Sequence, residues 1–293
     1  MTDQVDTNHF RSRLVVIAIA LLVAVAALTG CQKNDGTQSQ SDTDKSSALS
    51  TSHVHGLAVD SASGALYVAT HEGLFKITGA GAKPSLVGQD RSDLMGFGIA
   101  EPNRFISSGH PASQSEVNPL GLRESSDAGN TWRDVSLVGE VDFHLLKGRG
   151  SWIYGFDSSR DLVLVSKDGG VNWQEQAAPS GLIDLAIDPS APKRVVAATE
   201  SGMMISSDAG ASWDQLGPEV SLLLAWDKPS TLTRIDQTGS VEVSDDSGSS
   251  WKSTGAVDEQ PVAFTRNGQQ LFIATTTHRI LVSNDGGSSW EEY

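Results

Sequence analysis

The sequence predicts an all-β protein, a six-bladed β-propeller made of four-stranded antiparallel blades. Two observations predict this fold. An eight-residue pattern, S-x-D-x-G-x-x-W, recurs five times at intervals of about 40 residues, which is the period of a propeller blade. Glycine is abundant, with 29 residues, and helix-favouring runs are scarce, as expected of many short strands joined by tight turns.

Each eight-residue repeat, called an octet below, is predicted to form a tight turn that leads into a strand. Its aspartate can accept backbone N–H groups, its glycine adopts a positive φ at low cost, and its tryptophan can pack over the turn. Successive octet tryptophans are 41, 40, 38 and 39 residues apart, at Trp132, Trp173, Trp213, Trp251 and Trp290. We expect the octet aspartates to be structural: Asp127, Asp168, Asp208, Asp246 and Asp285.

Strand-like runs upstream of each octet complete the blades. The fourth unit has runs at 182–188 and 193–199, then a third that leads into the octet at 206–213. A unit without an octet is predicted at 54–88, and the second unit carries an insertion at 111–120. Six units fill residues 53–293, so this range is predicted to be the propeller domain.

The first thirty residues predict an export signal. Residues 1–13 carry Arg11 and Arg13, and residues 14–28 are an unbroken apolar run. This order is typical of a secretory signal peptide, and the run is short for a membrane span, which needs about 20 residues. The tetrapeptide at 28–31, Leu-Thr-Gly-Cys, resembles a bacterial lipobox. The resemblance implies that residues 1–30 are removed and that Cys31 is lipidated.

The segment 31–52 is rich in Ser, Asp and Gln and lacks aromatic residues. It cannot bury enough apolar surface to order itself, so we expect a disordered, flexible tether. The lipid anchor on Cys31 would then place the domain at the extracytoplasmic face of the cell membrane, with the membrane as one partner. Cys31 is the only cysteine, which excludes an intramolecular disulfide.

The net charge of −15, from 36 acidic and 21 basic residues, argues against a nucleic-acid partner. A strongly acidic surface repels the phosphate backbone of DNA and RNA. The same surface tolerates cations and basic partners.

Six histidines of the predicted propeller occupy one face of it. In an up-and-down blade, the start of the first strand and the loop between the second and third strands open on the same side, and the octet turns open on the other. These histidines are predicted at the former positions: His53, His55, His71, His110, His144 and His278. Because His53 and His55 are two residues apart on a predicted strand, they should point to the same side.

Histidines gathered with acidic residues predict a metal site, with Zn or Cu as the candidate ions. Asp157, Glu200 and Asp236 hold the equivalent loop position in blades three, four and five. Two alternatives stay open at this point. The histidines can serve another ligand or a proton-transfer reaction, since imidazole titrates near neutral pH, or they can be polar residues that line the channel and bind water.

The octets resemble the Asp-box, or BNR, repeat of sialidases, sortilin-type receptors, some glucanases and a photosystem-II assembly factor. The segments 53–57, 70–75, 95–97, 108–111 and 142–144 are similar to bacterial Asp-box lipoproteins labelled glycosyl-hydrolase-like. This resemblance implies a propeller whose octets are turns at the rim. A sialidase needs a tyrosine nucleophile, and Tyr67 and Tyr154 instead fall inside predicted strands.

Three functions follow in order of preference. The first is a non-enzymatic, lipid-anchored propeller that binds a ligand, such as a transition metal, at its histidine-bearing face. The second is a scaffold that docks a protein, and the third is a glycoside hydrolase other than a sialidase, whose ligand would be a glycan. A glycosidase needs two carboxyl groups that flank a cleft, and the candidates are Glu116, Asp157, Asp161 and Glu200.

Overall fold

The computed structural model describes residues 52–293, which form 24 β-strands in six four-stranded antiparallel sheets. The prediction of an all-β, six-bladed propeller is confirmed. The predicted signal peptide, Cys31 and the predicted tether up to residue 51 lie outside the described residues. Within the described range, none of the secondary structure is a helix with the length and apolar character needed to cross a membrane.

Each blade uses four strands that are consecutive in the chain and paired in order. Blades one and two contain β1 (Val54–Val59), β2 (Leu66–Thr70), β3 (Gly73–Ile77), β4 (Ser85–Leu86), β5 (Asp93–Glu101), β6 (Arg104–His110), β7 (Leu122–Ser125) and β8 (Arg133–Ser136). Blades three and four contain β9 (Leu145–Arg149), β10 (Trp152–Asp157), β11 (Leu162–Ser166), β12 (Gln174–Ala177), β13 (Leu182–Ile187), β14 (Val195–Thr199), β15 (Gly202–Ser206) and β16 (Asp214–Gly217). Blades five and six contain β17 (Leu223–Lys228), β18 (Thr231–Ile235), β19 (Ser240–Ser244), β20 (Lys252–Ala256), β21 (Pro261–Asn267), β22 (Gln270–Thr275), β23 (Ile280–Ser283) and β24 (Glu291–Glu292).

The core lies between blades. The second strands are the most apolar, and every residue of β2 and β14 is buried because both of their faces are covered by neighbouring blades. One cluster of buried side chains joins Leu66 and Phe75 of blade one to Phe272 of blade six, and Tyr293 packs against it. The ring is therefore closed by side-chain packing, with each described sheet built from contiguous strands.

Asp184, near the start of β13, links three blades. Its carboxylate accepts the backbone N–H groups of Leu185 and of Leu224 in blade five, each at 2.8 Å. It also pairs with Lys147 of blade three, with 2.9 Å between Nζ and Oδ1. Asp184 is 6% exposed, so its charge is compensated by these three contacts rather than by water.

All five octets form the same network of hydrogen bonds. The serine hydroxyl donates to the aspartate Oδ1 at 2.7–2.8 Å and accepts the N–H of the octet glycine at 2.7–2.8 Å. The aspartate accepts the backbone N–H of the residue four positions along. The side chain of that fourth residue also donates to the aspartate, and its side-chain and backbone hydrogen bonds together lower the pKa of Asp168, Asp208, Asp246 and Asp285 to about 2.

The octet turns lie beside the loops that join the first and second strands. Ala128 N–H donates to the Asn103 carbonyl at 3.0 Å, and Ala209 N–H donates to the Lys193 carbonyl at 2.8 Å. We call this side of the ring the octet face. The octet tryptophans pack between blades, as when Trp173 Nε1 donates to the Ser136 hydroxyl of the preceding blade at 2.9 Å. The octet thus closes its own turn and fixes a neighbouring blade.

Candidate functional site: two histidine–aspartate clusters

The six histidines lie at the starts of first strands or in the loops between second and third strands, on the side opposite the octet face. We call this side the histidine face. His278 of blade six, His53 and His71 of blade one form a row, with ring centroids of His53 at 5.6 Å from His278 and 5.4 Å from His71. His278 Nδ1 donates to the carbonyl of Ser52 at 2.9 Å, so this row crosses the junction where the ring closes.

Cluster one consists of His55, His71 and Asp93, with one ligand-type atom of each within 4.8 Å of the others. His71 Nδ1 lies 2.7 Å from Asp93 Oδ2. His55 Nε2 lies 3.3 Å from His71 Nε2 and 3.7 Å from Asp93 Oδ1. The aspartate comes from blade two and both histidines from blade one, so the cluster bridges these blades.

A β-bulge positions His55. The pairing of β1 with β2 shifts register between Val54 and Gly56, and a bulged residue turns its side chain away from regular alternation. β1 begins only at Val54, so His53 precedes the strand, and the simple two-residue alternation expected for His53 and His55 does not apply. Both rings nevertheless contact His71, with the His55 centroid 4.4 Å away.

Cluster two consists of His110, Asp142 and His144, again with one ligand-type atom of each within 4.8 Å of the others. Asp142 Oδ2 lies 2.8 Å from His144 Nε2 and 3.3 Å from His110 Nε2. His110 Nδ1 donates to the side-chain oxygen of Asn118 at 2.8 Å. The hydrogen bond from Nδ1 leaves Nε2 of His110 as the ring nitrogen that faces Asp142.

The two clusters are neighbours. Asp93 of cluster one and His110 of cluster two are cross-strand partners in the pairing of β5 with β6, which places such residues about 5 Å apart at Cα. Gly109 makes this approach feasible, because a Cβ at that position would lie 2.0 Å from the Asp93 carbonyl, and its φ is +140°. Any side chain there would separate Asp93 from His110.

The pKa values of His55 and His144, the two histidines nearest the axis, are shifted in opposite directions. Burial and the neighbouring His71 lower the pKa of His55 from 6.5 to about 4, and Asp93 opposes this only in part. The hydrogen bond with Asp142 raises the pKa of His144. His55 is therefore neutral at pH 7, which is the state that binds metal ions.

Each cluster contains a buried carboxylate oxygen without a hydrogen bond. Within residues 52–293, Oδ1 of Asp93 and Oδ1 of Asp142 have no hydrogen-bond partner. Buried polar atoms are seldom left without a partner. A cation at each cluster would satisfy the oxygen of that cluster.

His55 and His144 line a cavity of about 160 Å³ at this end of the axial channel. The two clusters therefore border a common space. The other four histidines lie further from the axis along blades six, one and two, at positions that extend the row around the ring.

The predicted catalytic carboxylates lie in loops of three different blades. Glu116 is in the insertion between β6 and β7, Asp157 ends β10, and Glu200 lies between β14 and β15. Burial would raise the pKa of Asp157, but hydrogen bonds from Ser159 and Arg160 outweigh burial and lower it. Asp157 is thus ionised and hydrogen-bonded within its own loop, whereas the general acid of a glycosidase needs a raised pKa. Asp161 follows in the same loop.

Sequence reasoning missed Asp93 and Asp142, the two carboxylates that meet the histidines. It assigned the acids near the histidines to the loops between second and third strands. A signal was present in both cases, because Asp93 begins a first strand as His55 does, and Asp142 lies two residues before His144.

No family model matches this sequence, and the curated proteins contain no match to it. Solved structures do match. A GH74 xyloglucanase from Xanthomonas campestris is 15% identical, with a TM-score of 0.55 over 82% of this chain. This chain spans 45% of that enzyme.

Two further structures match this chain over most of their own length. YCF48 bound to a D1 peptide is 18% identical, with a TM-score of 0.50, over 83% of this chain and 82% of that chain. A chain of a nidogen–laminin complex is 14% identical, with a TM-score of 0.60, over 78% of this chain and 92% of that chain. At these identities the likeness concerns the fold.

Proposed function

We propose that this propeller binds divalent transition-metal ions, Zn²⁺ or Cu²⁺, at clusters one and two on its histidine face. The observation that carries the proposal is the recurrence of the same donor set, two imidazoles and one carboxylate, in two adjacent places. Two histidines and a carboxylate are an established donor set for Zn²⁺, and imidazole also suits Cu²⁺. Three protein ligands leave further positions for water or a second ligand.

The distances within the clusters support this proposal. Ligand atoms at the corners of a tetrahedral Zn²⁺ site lie about 3.3 Å from one another, given metal–ligand bonds of about 2.0 Å. In cluster one, His55 Nε2 lies 3.3 Å from His71 Nε2 and 3.7 Å from Asp93 Oδ1. In cluster two, His110 Nε2 lies 3.3 Å from Asp142 Oδ2. Small side-chain rotations would close either set around one ion.

The test is a titration of the metal-free, full-length protein with Zn²⁺ and with Cu²⁺, followed by elemental analysis after gel filtration. We expect two ions per chain in the wild type, one in Asp93→Asn, one in Asp142→Asn and none in the double variant. Asn keeps the shape of Asp but loses the charge. Metal at about one hundred times its Kd should stabilise the fold by about 2.7 kcal/mol for each occupied site, which a chelator would reverse.

His278→Ala is the matched control, because His278 belongs to neither cluster and its ring packs against His53 rather than against a ligand of either cluster. It should keep both ions. The proposal is wrong if the wild type retains no stoichiometric metal and a chelator leaves its melting temperature unchanged.

Protein docking is the second candidate function. The two structural neighbours that this chain matches over most of their length were solved with a D1 peptide in one case and in a nidogen–laminin complex in the other. A docking role predicts a protein that co-purifies in stoichiometric amount, with no dependence on Asp93 or Asp142. Affinity purification of the wild type beside the double variant separates this role from metal binding.

Two further parts of the proposal rest on sequence. We interpret the octets as Asp boxes, an interpretation supported by the shared network that Ser206 and Asp208 exemplify. We also infer a lipid on Cys31, supported by the Leu-Thr-Gly-Cys tetrapeptide at 28–31. Cys31→Ser should then move the protein from the membrane fraction to the soluble fraction, and an unchanged distribution would refute the anchor.

A further inference from the structure

A second and larger cavity, of about 920 Å³, occupies the opposite end of the axial channel. Its walls are the ends of all six first strands and the loops that follow them, such as residues 97–102 and 147–152. It therefore opens on the octet face, away from the two histidine–aspartate clusters. Its volume lies within the range of about 300–1,000 Å³ that is typical of small-molecule sites.

The charge of this cavity is opposite to that of the chain. Acidic residues outnumber basic ones by 36 to 21 in the whole sequence. The charged side chains that line the cavity are four basic and two acidic: Lys147, Arg149, Lys228, Arg266, Glu101 and Asp227. A positively charged cavity in an acidic surface attracts anionic ligands and raises their local concentration.

Three of these six side chains, Lys147, Arg266 and Asp227, are in ion pairs, whereas Arg149, Lys228 and Glu101 make no ion pair with residues 52–293. Lys147 pairs with Asp184 at 2.9 Å, and Arg266 pairs with Asp227 at 3.2 Å. Arg149 is half-buried, and no carboxylate oxygen in residues 52–293 lies within 4.0 Å of it.

Arg149 reaches across the channel from blade three to blade five. One terminal nitrogen donates to the Trp226 carbonyl at 3.3 Å, and this is the guanidinium's one hydrogen bond to the part of the chain that the structure describes. Arg91 is the other described arginine without a carboxylate, but it donates to the backbone carbonyls of Gly88 and Asp90. Arg149 therefore has unused donors inside the cavity.

The walls beside Arg149 are apolar and aromatic. Trp152, Trp226, Phe97 and Ile99 line the cavity. Trp226 is 6% exposed, and its buried Nε1 has no acceptor among residues 52–293. Because Arg194 and the core cover the Trp226 ring, the surface for stacking is that of the part-buried Trp152, the cross-strand partner of Arg149.

We propose that the cavity on the octet face binds a small organic acid, a single carboxylate attached to a ring, with Arg149 as the anchor of the carboxylate. A guanidinium binds a carboxylate through two parallel N–H···O bonds. The three unpaired charges of the cavity, Arg149, Lys228 and Glu101, sum to +1, which matches a single carboxylate better than a dianionic phosphate. The ring of the ligand would lie against Trp152. Aromatic acids and sugar acids share this chemistry.

The test is calorimetric titration of the full-length protein, with a chelator present so that clusters one and two do not contribute. The probes are benzoate for the aromatic acids and glucuronate for the sugar acids, with benzyl alcohol and glucose as uncharged analogues. We expect saturable binding of at least one acid, accompanied by a change in tryptophan fluorescence. Arg149→Gln should weaken that binding about tenfold or more, because a hydrogen bond to a charged group is lost.

Arg133→Gln is the matched control, because Arg133 lies on the outer strand β8 and pairs with Glu124. It should bind as the wild type does. Arg149→Lys keeps the charge without the two-pronged geometry, so a smaller loss is expected, and this variant carries the test if Arg149→Gln does not fold. The proposal is overturned if neither acid binds, if the uncharged analogues bind equally well, or if Arg149→Gln leaves the affinity unchanged.

Discussion

Replacing the octet serine Ser206 with alanine tests how the octets stabilise the ring. The Ser206 hydroxyl accepts the Gly210 N–H at 2.8 Å and the Asp208 N–H at 3.3 Å, and it donates to Asp208 Oδ1 at 2.8 Å. Ser206 is 1% exposed. Without the hydroxyl, the buried Gly210 N–H loses its partner, which costs about 1–3 kcal/mol. Water can replace the contacts of the exposed Asp208. We therefore expect a loss of about 2 kcal/mol in the free energy of unfolding.

The assay is urea unfolding followed by circular dichroism, with the midpoint compared between variants. Ser207→Ala is the matched control, because Ser207 is exposed and its side chain makes no hydrogen bond to residues 52–293. The control should stay within about 0.5 kcal/mol of the wild type. If Ser206→Ala is as stable as Ser207→Ala, the buried hydroxyl does not stabilise the octet and the reasoning fails.

Three further predictions concern the links between blades and the histidine face. Asp184→Ala should cost about 3 kcal/mol in urea unfolding, because it removes a buried link among blades three, four and five, and the exposed Asp214→Ala should cost little. Phe143→Ala should cost about 3–5 kcal/mol and weaken metal binding at cluster two, because this fully buried core residue lies in sequence between Asp142 and His144 and anchors their backbone; retention of full stability would contradict the packing. His55 has a folded-state pKa of about 4 against 6.5 in the unfolded chain. The free energy of unfolding that depends on neutral His55 is therefore fully present above pH 6.5 and is lost as pH falls towards 4. In metal-free protein, the wild type should lose about 3 kcal/mol more than His55→Gln between pH 7 and pH 4, and parallel pH profiles would contradict the shift.

The repeat determined how much of the fold was predictable. The predicted runs at 182–188 and 193–199 correspond to β13 (Leu182–Ile187) and β14 (Val195–Thr199). The blade without an octet, predicted at 54–88, contains β1 to β4. These predictions succeed because a turn residue and a strand residue have fixed local requirements that recur with each blade.

The composition of the clusters was less predictable, because it depends on contacts between blades. Asp93 and His71 meet across the junction of blades one and two, and strand order alone does not say which loop side chains bridge a junction. The bulge at His55 adds a change of direction that regular alternation cannot anticipate. The position of Arg149 in the cavity was not predictable for a similar reason. Side chains alternate between the two faces of a strand, but the sequence does not say whether a given side chain meets the channel or the neighbouring blade.

The contiguity of each blade has a consequence for how such a chain can change. The strands of every described sheet follow one another in sequence, and blade six meets blade one through packing around Phe272. A circular permutant cut in any loop between blades would therefore keep all six sheets whole. Duplication or loss of one unit would likewise leave the threading of every remaining strand intact. The residues of clusters one and two lie in blades one to three, so blades four to six can change on the histidine face without altering the donor set of either cluster.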